Sequence, residues 1–188
     1  MQMAPLGGVA LRAAMIGMLV RIIHAAPDDH RFERKGIASR AAFVVPLASL
    51  ATPALWLAAG RRRGDYPAAM DNLFMSIVAL DLAGNVLDLY DRHRHFDLIP
   101  HGHGTGALTV VLAWLFQWRL PLAALVATAG HVALEAQEIA SDRLFGYRNV
   151  RGWWDTAGDI AAGLAGSALY GWLYLRVVRE PDVPIRPR

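Results

Sequence analysis

The chain has no cysteine, which excludes disulfides, thiolate metal sites and a cysteine nucleophile. It also lacks a glycine-rich phosphate loop and a G-x-S-x-G elbow, so neither P-loop chemistry nor nucleophile-elbow hydrolysis is signalled. No internal repeat or low-complexity tract stands out beyond alanine-rich apolar runs. Lysine is nearly absent: of 19 basic residues only Lys35 is not arginine. The arginines are scattered between apolar runs and form no single stripe, which argues against a nucleic-acid partner. A net charge of +3 suits loops lying at anionic lipid headgroups.

Apolar sequence is abundant. The hydrophobic fraction is 55%, above the roughly 45–50% of soluble domains. A chain of 188 residues fits one domain. Six spans of about 20 residues would use about 120 of them and leave short loops. The expected fold is all-α, a polytopic membrane bundle of five or six transmembrane helices over residues 1–178, followed by a disordered basic tail at 179–188. The helices are expected near 5–25, 40–59, 69–90, 105–117, 120–140 and 155–178. The first apolar stretch is broken by Arg12 and Arg21 and does not read as a secretory signal. With Arg12 near its middle, it either spans or lies as an interfacial amphipathic helix. Lysine and arginine are nearly balanced between the two sets of loops; the Arg61–Arg63 cluster and the basic tail favour a cytoplasmic C-terminus.

Ionisable residues inside these apolar segments carry the functional signal. His131, Glu135 and Glu138 recur at i, i+4 and i+7, and Asp81, Asn85 and Asp88 repeat that spacing. Side chains at such intervals share one helical face. Charge in lipid is costly, so residues of this kind normally face a bundle interior or wet cavity. Imidazole nitrogens and carboxylate oxygens are ligands for zinc, iron or manganese. Helical bundles build metal sites from inward Glu and His at this spacing. A polar seam that only holds helices together would look the same. Asp155 and Asp159 open the last helix one turn apart, where acidic residues also suit the helix dipole. Gly163, Gly166 and Ser167 continue that side as a small-residue face. His93, His95, His101 and His103 lie in a segment read as a loop, and Trp153 and Trp154 as an interfacial anchor.

Three motifs occur in order: Asp97-x3-His101 entering an apolar helix, Glu135-x2-Glu138 late in the next, and Gly152-x-Trp154-Asp155-Thr156-x2-Asp159 opening a helix that carries Gly166. Together, over about residues 91–170, they resemble the YjdF-type bacterial inner-membrane family and, more loosely, VanZ-like proteins. Trp153 departs from the acidic residue usual after that glycine, and His131 and the Asp81 stripe match nothing in the pattern. The resemblance implies a multi-pass inner-membrane location and adds Asp97 and His101 to the candidate site. VanZ-like proteins are linked to altered glycopeptide sensitivity.

The expected site therefore comprises Asp81, Asp88, Asp97, His101, His131 and Glu135 as metal ligands, with Glu135, Glu138, Asp155 and Asp159 as catalytic carboxylates. The expected function is binding or metal-assisted hydrolysis of a lipid or lipid-linked substrate, with membrane lipids as partners. The alternatives are a proton- or cation-coupled transporter and a non-catalytic scaffold.

Overall fold

A computed structural model describes residues 3–58, 60 and 66–178. The Arg61–Arg63 cluster and the 179–188 tail, on which the orientation and disorder expectations rest, lie outside the described residues. Among the described residues there are seven helices and no strand: α1 (Met3–Ile23), α2 (Ile37–Ala58), α3 (Ala68–Val86), the single turn α4 (Leu89–Arg92), α5 (Leu98–Leu115), α6 (Leu120–Phe145) and α7 (Trp153–Val178).

Two of these, Leu6–Ile23 of α1 and Ile37–Ala58 of α2, are long and apolar enough to cross a membrane, and little of either is buried. α2 keeps its helix through Pro46 and Pro53, residues that break helices in water but are tolerated in apolar surroundings. The remaining long helices carry their polar residues inward.

α3 and α5 form the centre. α1 and α2 pack on α3 from one side, α6 and α7 on α5 from the other, and α3 meets α5 between them. Met15, Ile22, Ile37, Ala41, Val45, Met75, Leu82 and Val86 fill the α1–α2–α3 core. The α5–α7 contact works differently. A Cβ on Gly166 would overlap the Gly102 carbonyl, and one on Gly106 would stand 2.6 Å from the Gly166 oxygen. Only glycine lets these two backbones touch.

Arg12 settles how α1 sits. Its Nη1 lies 2.9 Å from Oδ2 of the buried Asp71 on α3, and its guanidinium donates to the Ser49 carbonyl of α2 at 3.0 and 3.2 Å. α1 is thus a packed member of the bundle, its charge neutralised by Asp71, and does not lie flat beside it.

The residues expected in a histidine loop fold differently. Asp97 precedes α5, and His101 and His103 lie within it. The missing side chain of Gly102 lets α7 approach, a Cβ there standing 3.3 Å from the Ala162 oxygen, whereas Gly104 faces Ile77 of α3. Asp88 also leaves the expected stripe. α3 ends at Val86, and Asp88 takes a left-handed conformation (φ 61°) before α4.

Large apolar side chains lie on the surface while several carboxylates are buried. Phe43, Leu50 and Leu125 are 69%, 64% and 66% exposed, while Asp71, Glu135 and Asp159 are 1%, 3% and 3% exposed.

Candidate metal centre

The site is built from two i, i+4 pairs on facing helices. On α5, His101 and Thr105 share a face; on α6, His131 and Glu135 do. The imidazoles of His101 and His131 stack with centroids 4.8 Å apart, and His101 Nδ1 lies 2.7 Å from His131 Nε2. Glu135 Oε1 stands 3.5 Å from each of those nitrogens. That oxygen is buried with no hydrogen-bond partner among the described residues.

The outer nitrogens are held as well. Thr105 donates its one hydroxyl proton to the His101 carbonyl at 2.9 Å. Its oxygen, 3.0 Å from His131 Nδ1, is therefore left to accept the Nδ1 proton. This fixes the His131 tautomer with the Nε2 lone pair pointing inward. Asp97 Oδ1 lies 3.3 Å from His101 Nε2, so His101 donates there and turns its Nδ1 lone pair toward the same point. With both rings neutral in these tautomers, two imidazole nitrogens and one carboxylate oxygen converge as acceptors; a proton on His101 Nδ1 makes the 2.7 Å contact an ordinary hydrogen bond to His131. Such a set requires a shared proton or a cation.

The donor set fits a divalent metal. The atoms of His101, His131 and Glu135 lie within 4.8 Å of one another. Ligand atoms around tetrahedral zinc stand about 3.3 Å apart, close to the two 3.5 Å separations; the 2.7 Å pair would have to open by about 0.6 Å to hold such an ion. Asp97 and Thr105 hold the outer nitrogens as the second shell of a metal site does. Asp97, His101 and Asp159 form an overlapping group, and Asp159 Oδ1 is also buried without a hydrogen-bond partner among the described residues.

Gly163 makes room for this arrangement. A Cβ there would overlap the His131 ring and approach Thr105 Oγ1 to 2.8 Å. α7 therefore closes on the histidines only because position 163 carries no side chain.

A cavity of about 380 Å³ reaches the centre. His101, His131 and Thr105 are on its wall, with Asp81, Asp97 and Glu138. Glu138 Oε1 accepts from Arg40 Nη1 at 2.9 Å, and Arg40 Nη2 is 3.9 Å from Asp81 Oδ2. Asp81 also accepts from the Tyr90 hydroxyl at 2.9 Å and from Asn85.

Of the expected site residues, Asp97, His101, His131, Glu135 and Asp159 come together. Asp81 and Glu138 stand apart from them on the cavity wall, joined through Arg40. Asp88 is not brought to the centre; it faces His30 at 3.4 Å. Asp155 accepts the Arg151 backbone N–H at 2.9 Å, the role of a residue at a helix start. His103 belongs to a separate chain: Tyr170 OH lies 2.6 Å from its Nδ1, and Ser76 Oγ, which donates to the Leu73 carbonyl, 2.8 Å from its Nε2. With that polarity Ser76 accepts from His103, so the histidine does not activate it.

Sequence reasoning missed Arg40, Tyr90 and Thr105. Arg40 stands at the start of an apolar run with no acidic residue at helical spacing within it, and no spacing links Thr105 to a histidine on another helix. Compared with protein-family models, curated proteins and solved structures, the chain matches none.

Proposed function

We propose that the chain is a six-span inner-membrane protein whose His101–His131–Glu135 centre binds a divalent metal and hydrolyses a lipid or lipid-linked substrate. The observation that carries this is the convergence of His101 Nδ1, His131 Nε2 and Glu135 Oε1, the two rings being held from outside by Asp97 and Thr105. Three protein ligands leave a position for water, as in catalytic zinc sites. A bound metal there would supply an activated water at neutral pH. We assign the uptake of its proton to Glu138, which lies on the cavity wall one turn beyond Glu135 and is paired with Arg40.

The membrane part of the reading rests on the outward apolar faces of α1, α2, α6 and α7 and on Trp153 and Trp154, 74% and 85% exposed at the site's end of the bundle. α5, at 18 residues, is about 27 Å long, close to the ~30 Å hydrocarbon thickness. A multi-pass inner-membrane location, as the YjdF-type resemblance implies, is part of this proposal.

Elemental analysis of detergent-purified protein tests it. About one equivalent of zinc, iron or manganese per chain is expected, and its loss in His131→Ala/Glu135→Ala. A folded protein that stays metal-free after incubation with each metal overturns the reading. It would favour the proton-relay alternative, which the 2.7 Å nitrogen separation and the Asp97–His101–His131 line support. That alternative predicts proton flux into proteoliposomes, lost in His131→Ala.

A further inference from the structure

The mouth of the cavity carries charge that the metal centre does not use. Lys35, Arg40, Arg148 and Arg151 all line it. Two of them are neutralised: Lys35 Nζ lies 2.6 Å from Asp91 Oδ2, and Arg40 is paired with Glu138. The other two are not. Among the described residues the Arg151 guanidinium donates only to carbonyl oxygens, those of Tyr90 at 2.6 Å and Arg94 at 3.3 Å. The exposed Arg148 side chain has no ion-pair partner among the described residues. The carboxylates on the same wall are engaged: Asp91 by Lys35, Glu138 by Arg40, Asp81 by Tyr90 and Arg40, Asp97 by His101. The four cations of the wall face four carboxylates, and Arg148 and Arg151 are the two whose guanidiniums have no carboxylate partner among the described residues.

Both arginines sit on the turn between α6 and α7, and its backbone is anchored. The Arg148 N–H donates to the Arg34 carbonyl at 2.8 Å, and Asp142 accepts the N–H groups of Asn149 and Val150. The guanidiniums are thus presented from a held frame, which lowers the cost of ordering them on a ligand. Farther in, the wall turns apolar, with Val44 of α2, Phe74 and Ile77 of α3, Leu108 of α5 and Leu134 of α6. α2 packs on α1 and α3, and α6 on α5 and α7, so these two helices border the cavity from separate halves of the bundle.

We propose that this cavity takes a phosphate-bearing amphiphile, its headgroup on Arg148 and Arg151 and its chain along the α2–α6 wall. Planar guanidinium matches phosphate oxygens with two parallel hydrogen bonds, and a neutral headgroup would leave both charges unanswered. The inference rests on the metal-centre reading, for which it names the substrate class: a phosphate ester delivered to the histidine pair.

Three probes separate the parts: dodecyl phosphate, dodecanol and inorganic phosphate, each titrated calorimetrically into full-length protein in a neutral maltoside detergent. Dodecyl phosphate should bind saturably, and the other two at least about tenfold more weakly, since a hydrogen bond to a charged group contributes about that factor. Arg148→Ala, which breaks no side-chain hydrogen bond or ion pair among the described residues, should weaken dodecyl phosphate about tenfold, with partial recovery in Arg148→Lys. Val44→Trp should weaken it by obstructing the chain. Equal binding by Arg148→Ala/Arg151→Gln and wild type, or of dodecanol and dodecyl phosphate, overturns the headgroup site. Inorganic phosphate binding as tightly as the amphiphile overturns the chain-binding half and points to a soluble phosphate. Metal content of the same samples distinguishes the two levels. Lost selectivity with metal retained defeats this inference alone, whereas selectivity in metal-free protein defeats the centre alone.

Discussion

Gly163 on α7 lies against the imidazole of His131 on α6 so closely that no side chain fits between them. The histidine is clamped between this glycine and Thr105, and its orientation is set by packing as much as by hydrogen bonding. Gly163→Ala should therefore displace His131. Overpacking of this kind costs about 1–3 kcal/mol, and misplacing a ligand should weaken metal binding more than it lowers thermal stability. Competition with a chromophoric chelator, beside a melting curve, separates the two. Unchanged metal affinity would mean that the ring has slack not apparent from the contact.

Asp97 and Thr105 touch the outer nitrogens only. Asp97→Asn and Thr105→Val should each lower metal affinity about 10–100-fold, the usual effect of losing such a partner, while leaving the protein folded. Thr105→Ser keeps the hydroxyl and should restore most of the loss. If Thr105→Val binds metal like wild type, the hydroxyl is not orienting His131.

Arg40 and Glu138 form an ion pair at the cavity wall. Breaking a buried pair from one side costs about 3–5 kcal/mol, and this pair, partly exposed, should cost less. Arg40→Met should destabilise the protein, and adding Glu138→Leu should recover much of the loss. If Glu138 takes the proton from water, the double variant regains stability without regaining turnover. Recovery of both would reduce the pair to architecture.

Arg12 and Asp71 supply the contrast. They join α1 to α3 among contacts separate from those of the histidine pair. Asp71→Leu alone should destabilise strongly, because it leaves Arg12 without its counter-ion. Arg12→Leu/Asp71→Leu should fold and carry its full complement of metal. Metal loss in that double variant would show that the two halves of the bundle are coupled.

How far the sequence could be read follows from how local each signal is. The pairing of His131 with Glu135 was visible because four residues of helix separate them. Asp88 was misassigned on the same logic, since spacing carries a stripe forward only while the helix continues, and α3 stops at Val86. The His101–His103 stretch misled for a different reason. Glycine beside histidine signals a loop in water, but here Gly102 and Gly106 serve the approach of α7, which no local rule reports.

The sequence by itself determined that the chain is helical, that apolar runs are broken by ionisable residues at helical spacing, and that those residues face inward. Periodicity and the cost of burying charge depend only on neighbours along the chain. Tertiary structure decided the rest. It brought His101 to His131 across 30 residues and Arg40 to Glu138 across 98. It also sent Asp81 to Tyr90 and Arg40, away from the centre, and left Arg148 and Arg151 at the cavity mouth. Those outcomes depend on which helices touch and how closely, and that is governed by missing side chains at Gly102, Gly106, Gly163 and Gly166.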